Sequence, residues 1–120
     1  MITRLITAFA LVLAGCALNE GTLRQENSPL TYTSANPPRA VAECMARNME
    51  VVLVRAHATI RPMESPGGLE VLARGPNDSL YALAEITANG KDTSASMWFS
   101  PILHMLRGPQ ETGMKFMLGC

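Results

Sequence analysis

Along the chain, apolar positions first recur at helical spacing from residue 36 onward. Val41, Cys44, Met45 and Met49 fall on one stripe, Asn36 is placed to cap the helix, and Pro37 suits its opening turn. Arg39, Glu43 and Arg47 lie four apart on the other face, a spacing that allows weak ion pairs. After Glu50 the period changes to two. Val52, Val54, Ala56, Ala58 and Ile60 alternate with Leu53, Arg55, His57, Thr59 and Arg61, which predicts a strand with one face inward, although the helix could run on to Val54.

Pro66-Gly67-Gly68 supplies a turn, and Leu69, Val71 and Ala73 then alternate with Glu70 and Arg74. Gly75-Pro76-Asn77-Asp78 is a second turn, made of residues that favour bent backbone. A strand over 80–87 follows, and Asn89-Gly90 reads as a tight hairpin leading to a return strand over 93–99. Ser100-Pro101 opens a short helix carrying Ile102, Leu103, Met105 and Leu106, which Gly108-Pro109 stops, and a last helix is expected over 110–118. The pattern predicts an α+β fold: an N-terminal helix packed on a small antiparallel sheet of three to four strands, with a short C-terminal helical segment.

The N-terminal region has a different character. Met1 to Arg4 is short and positively charged, and the apolar run Leu5 to Leu13 is about nine residues, too short for a hydrocarbon layer that needs roughly 20 helical residues. Leu13-Ala14-Gly15-Cys16 completes the pattern. Together these residues resemble the signal and lipobox of bacterial lipoproteins. The resemblance implies cleavage after residue 15, diacylglycerol on the Cys16 thiol and acylation of its new amine. The competing reading is a buried N-terminal helix with an ordinary core cysteine. Two or more acyl chains hold a protein on its membrane, whereas one binds only marginally. Residue 17 is Ala, where the Asp that retains many enteric lipoproteins at the inner membrane would stand. The expectation is therefore a lipid-anchored protein of the outer membrane, facing the periplasm.

Removal of 1–15 leaves about 105 residues, enough for one modest domain. Residues 16–35, rich in Asn, Ser, Thr and Glu and interrupted by Pro29, read as a lipidated flexible tether, and 36–120 as the domain. Ten basic and ten acidic residues cancel. With no basic stripe to neutralise phosphates, nucleic acid is a poor partner.

Lipidation of Cys16 would leave Cys44 and Cys120 as an even pair in an oxidising compartment, where a disulfide is the simplest outcome. A reactive thiol or a metal ligand pair is the alternative, without Cys-x-x-Cys spacing to favour it. The run Tyr32-Thr33-Ser34 through Pro37-Pro38-Arg39-Ala40-Val41-Ala42-Glu43-Cys44-Met45, with a terminal Cys, is similar to small proteobacterial lipoproteins of uncharacterised function. That resemblance supports the disulfide and the layout, and it brings no activity with it.

No catalytic constellation is legible. His57 and His104 are the only histidines, and no serine occupies a Gly-x-Ser-x-Gly turn. His57 reads as solvated and His104 as a helix-surface or partly buried residue. Glu64, Glu70 and Glu85 could form a carboxylate pair of the kind that cleaves glycans. Met105 beside His104, with Met114 and Met117, supplies soft ligands of the kind that hold cuprous ion, although methionine at helical spacing is more often core filling. Gly67-Gly68 and Gly75-Pro76 lack the Lys-Ser or Lys-Thr that a phosphate cradle requires. No metal, cofactor or catalytic residue is assigned. Trp98 and Tyr81 stand out as aromatic anchors for a partner, against the alternative of plain packing. An envelope interaction or structural module is preferred over a small periplasmic hydrolase or a copper-handling lipoprotein.

Overall fold

The structure is a computed structural model and describes residues 20–26, 28–64, 67–101 and 108–120. The expected signal 1–15, Cys16 as the expected lipid site, the helix expected over 102–106 and His104 with Met105 lie outside the described residues.

The elements are α1 (Glu20–Glu26), β1 (Leu30–Ser34), α2 (Pro38–Val52), β2 (His57–Pro62), β3 (Leu69–Arg74), a single 3-10 turn (Pro76–Asp78), β4 (Leu80–Asn89), β5 (Asp92–Phe99) and α3 (Pro109–Phe116). The α+β class is as the pattern predicts, and among the described residues the sheet has five strands where three to four were expected. All neighbours are antiparallel, in the order β1-β5-β4-β3-β2.

The added strand is β1. Residues 20–34, expected as tether, contain both α1 and this edge strand. Polar composition hid a period-two segment in which Leu30 and Tyr32 pack against the core while Thr31 and Thr33 stay exposed. Its register with β5 runs from Leu30 opposite Met97 to Ser34 opposite Thr93.

α2 lies across the inner sheet face and buries Val41, Ala42, Met45, Ala46 and Met49. They meet Val71 and Ala73 of β3, Ala82, Ala84 and Ile86 of β4, and Ala95, Met97 and Phe99 of β5, with Phe116 of α3 closing the cluster. Small alanines on the sheet let the long methionines of α2 approach closely. The N-cap of α2 is Pro37 and not Asn36, because Pro37 O accepts the Val41 N–H at 3.0 Å. The Asn36 amide donates elsewhere, to Cys120 O at 2.5 Å.

The strand expected from Val52 begins instead at His57. The helix runs to Val52, Leu53 N–H still donates to Met49 O at 2.9 Å, and Arg55 takes a left-handed φ of 60° that turns the chain back. Ala58 and Ile60 keep the predicted inward phase. In the β4–β5 hairpin, Asn89 stays in the ladder opposite Asp92, so the two-residue loop is Gly90-Lys91 and not Asn89-Gly90. Gly90 supplies the positive φ, 66°, at the first loop position, where a type II′ turn requires glycine.

Candidate functional site

Strand alternation sets the outer sheet face opposite α2. It presents Arg61 from β2, Glu70, Leu72 and Arg74 from β3, Leu83 and Glu85 from β4, and Ser96 and Trp98 from β5. α1 lies on this face. Leu23, 1% exposed, joins Leu72, Leu80, Leu83 and Trp98 in a second apolar cluster. Burying that one leucine contributes about 1.5–3 kcal/mol.

Around this cluster runs a chain of charges that alternate in sign. Arg74 Nη2 lies 3.2 Å from Glu20 Oε1, and the other oxygen of Glu20 pairs with Arg61. Arg61 donates from Nε and Nη2 to Glu70 Oε2 at 3.2 and 2.8 Å. Arg24 then bridges Glu70 Oε2 at 3.4 Å and Glu85 Oε1 at 2.8 Å. Glu70 and Glu85 face each other across β3 and β4, an arrangement of like charges that would be unfavourable without the arginine between them. The hydrogen bonds from Arg61 to Glu20 and then to Glu70 raise its pKa further above the ordinary arginine value.

An open cavity of about 420 Å³ adjoins this chain, lined by Glu20, Arg24, Arg61, Met63, Glu64, Glu70 and Glu85. The three glutamates singled out from sequence therefore do come together. Two of them, Glu70 and Glu85, are bridged by Arg24, whose side chain fills the position that a glycosidic oxygen or water would have to take between an acid and a base. Arg24 belongs to the segment expected as tether, which is why sequence reading missed it.

Trp98 and Tyr81 do not form an exposed pair. Trp98 is 9% exposed, opposite Leu83 and beneath α1, with the Arg24 guanidinium 5.9 Å from its ring centroid. Its indole N–H finds no acceptor among the described residues. Tyr81 is half-buried against the other core cluster, at a bulge between β3 and β4 where its ring covers Gly75. The bulge and the strand phase assign the two rings to different clusters.

A second cluster lies where α2 meets the C-terminal segment. Cys44 and Cys120 form a disulfide with Cα atoms 5.6 Å apart. Beside it, Asn48 Nδ2 donates to Phe116 O at 2.7 Å and Leu118 O at 3.0 Å, satisfying carbonyls that the end of α3 leaves open. Cys120 O accepts from Ser34 Oγ at 2.6 Å, and Thr93 Oγ1 donates to Asn36 O at 2.6 Å. Asn48 is the organising residue of this corner. Its position between Cys44 and Met49 on the predicted helix was the available signal.

His57 is 90% exposed, with Nδ1 4.0 Å from Glu50 Oε2. Met114 points to solvent while Met117 packs on the core, so these two thioethers do not converge. Among the described residues, four large apolar side chains stand in solvent: Val51, Val54, Met114 and Leu118, at 84, 81, 66 and 76% exposure. Val51 is one helical turn beyond Asn48, which holds Leu118, and Met114 is one turn before Leu118.

Comparison of the chain with family models, with curated proteins and with solved structures finds no match.

Proposed function

We propose that this protein is a lipid-anchored module of the bacterial envelope, held through Cys16 in the outer membrane and facing the periplasm, whose work is to bind another envelope component. The observation that carries the binding reading is the group of exposed apolar side chains, Val51, Val54, Met114 and Leu118, on the layer that the Cys44–Cys120 disulfide fastens. Scattered exposed leucines are ordinary. Here Asn48 and the disulfide fix α2 against the C-terminal segment that carries Leu118. A preorganised apolar surface binds with less ordering cost than a loose one.

The anchor supports the same reading, since a protein confined to a membrane surface meets partners there at high effective concentration. The disulfide supports an oxidising compartment. The first test is the intact mass of the full chain purified from membranes, before and after reduction and alkylation. Loss of residues 1–15, added acyl mass and two alkyl groups gained only on reduction are expected. The second test places a photocrosslinker at Val51, at Leu118 and, for comparison, at the exposed His57. Discrete adducts from the first two and not from the third are expected; equal or absent labelling at all three would remove the binding reading.

A further inference from the structure

β2 is one edge of the sheet. Among the described residues no strand lies beyond it, and its Thr59, Arg61 and Pro62 are exposed. The hairpin to β3 fixes which of its backbone groups face outward. Met63 N–H donates to Gly68 O at 2.9 Å, so in the same register Arg61, Thr59 and His57 exchange hydrogen bonds with β3. The N–H and C=O groups of Ala58 and Ile60 therefore point away from the sheet. Pro62 shares that outward phase, where its missing N–H costs no ladder bond. Beside this edge, Glu50 of α2 reaches His57, which turns one flank of the helix toward β2, while Asn48 on the other flank holds Leu118. Glu50 belongs to the row Arg39, Glu43, Arg47 and Glu50, spaced three or four apart and exposed throughout. Among the described residues, no opposite charge pairs with Arg39, Glu43 or Arg47.

We infer that β2 pairs with β2 of a second copy of this chain, antiparallel about a two-fold axis through Thr59, so that two five-stranded sheets join into one. The edge fixes the register. With the axis at Thr59, Ala58 exchanges both bonds with the second copy's Ile60, and Ile60 with the second copy's Ala58, which satisfies every outward group of these residues. Pro62 then falls opposite Ala56, whose N–H already donates to Leu53 O, so the ladder stops where neither strand has a donor to give. An axis at Ala58 or Ile60 would set Ala56 or Pro62 against one of them and leave a carbonyl open. Thr59 meets its own copy in a close pair that suits hydroxyl side chains. His57 stands opposite the second copy's Arg61, with Glu50 beside the former and Glu20 and Glu70 beside the latter.

The helix layer agrees in spacing and in charge. α2 packs on β2 and β3, so the two copies of the helix lie two strand spacings apart, about 10 Å, the distance at which helices pack. They run antiparallel, and the row of alternating charges sets Arg39 toward the second copy's Glu50 and Glu43 toward the second copy's Arg47. The half-buried side chains of Ala58 and Ile60 are covered beneath them. A strand from another protein would satisfy the edge and leave the charges of α2 unmatched, which favours a second copy. The axis is perpendicular to the sheet, so both copies of α1 lie on one face and both copies of Val51 and Leu118 on the other. Under the anchor proposed above, the lipids of both copies enter one membrane and a partner is met bivalently; the pairing of β2 does not depend on that anchor.

The experiment uses the full chain, first in membranes and then extracted in detergent with micelles in excess over protein, with its intact mass recorded on the same sample. In membranes, Thr59→Cys is compared under mild oxidation with Thr33→Cys, an exposed position on the opposite edge strand. Paired Cα atoms at a non-hydrogen-bonded position stand about 4.5 Å apart, within the range a disulfide spans. Thr59→Cys should therefore give a covalent dimer, bridged at position 59 by peptide mass, in several-fold higher yield than Thr33→Cys. In detergent, native mass spectrometry of the wild type should show a dimer. Glu43→Arg should lower its share several-fold, because it faces the second copy's Arg47, and Glu43→Arg with Arg47→Glu should restore it. That restoration separates lost pairing from lost folding. A monomeric wild type, a Thr59→Cys yield no higher than that of Thr33→Cys, or a Thr59→Cys adduct to a different protein would overturn the inference. Absence of acyl mass would overturn the anchor only, and the dimer measurements would still decide the pairing of β2.

Discussion

Removing the disulfide is the perturbation whose magnitude follows most directly from the structure. Cys44 and Cys120 are separated by 76 residues, so the bridge closes a loop spanning α2, strands β2 to β5 and α3. For a loop of that length, chain-entropy reasoning gives about 4 kcal/mol of stabilisation through the unfolded state. The folded state should change little on removal, because Asn48 still binds Phe116 O and Leu118 O, and Ser34 and Asn36 still bind Cys120 O. The double variant Cys44→Ala with Cys120→Ala should therefore keep the native sheet and lose about 4 kcal/mol of unfolding free energy, a fall in melting temperature of roughly 15–30 °C for a domain this size. The assay is urea unfolding followed by far-ultraviolet circular dichroism, which follows loss of the sheet and helices together. A loss below about 1 kcal/mol with an unchanged urea slope would refute the reasoning, and would mean that the denatured chain is already compact enough for the bridge to constrain little.

Other expectations follow from single contacts. Asn48→Ala should cost about 1–3 kcal/mol, because two carbonyls lose their donor, and its thermal midpoint should fall without loss of the disulfide as counted by alkylation. Met45→Ala and Met49→Ala, each fully buried between α2 and the sheet, should each cost about 2–5 kcal/mol by chemical denaturation. Gly75→Ala should destabilise by about 1–3 kcal/mol, since the new Cβ would stand 2.2 Å from Tyr81 Cζ and force the ring aside; Gly75→Ala with Tyr81→Ala should recover part of that loss. Arg24→Leu should leave Glu70 and Glu85 opposed without the cation between them, so its stability should depend more steeply on salt than that of the wild type in matched thermal melts.

How far these features could be read from sequence differs by physical cause. β3, β4 and β5 were legible because their apolar residues alternate between turn residues, and the class followed from them. α2 was legible by its stripe, with its start displaced by one residue because two prolines outcompeted the Asn36 cap. β1 was not legible. Its five residues carry four hydroxyls, and what makes it a strand is the waiting edge of β5, a tertiary partner that local composition does not reveal.

The outer-face site was half legible for a related reason. Glu64, Glu70 and Glu85 were visible as carboxylates, and their convergence follows once the β3–β4 register sets Glu70 opposite Glu85. The arginine that joins them comes from a segment whose composition resembles a linker, and a single buried leucine is too little pattern to reveal a helix.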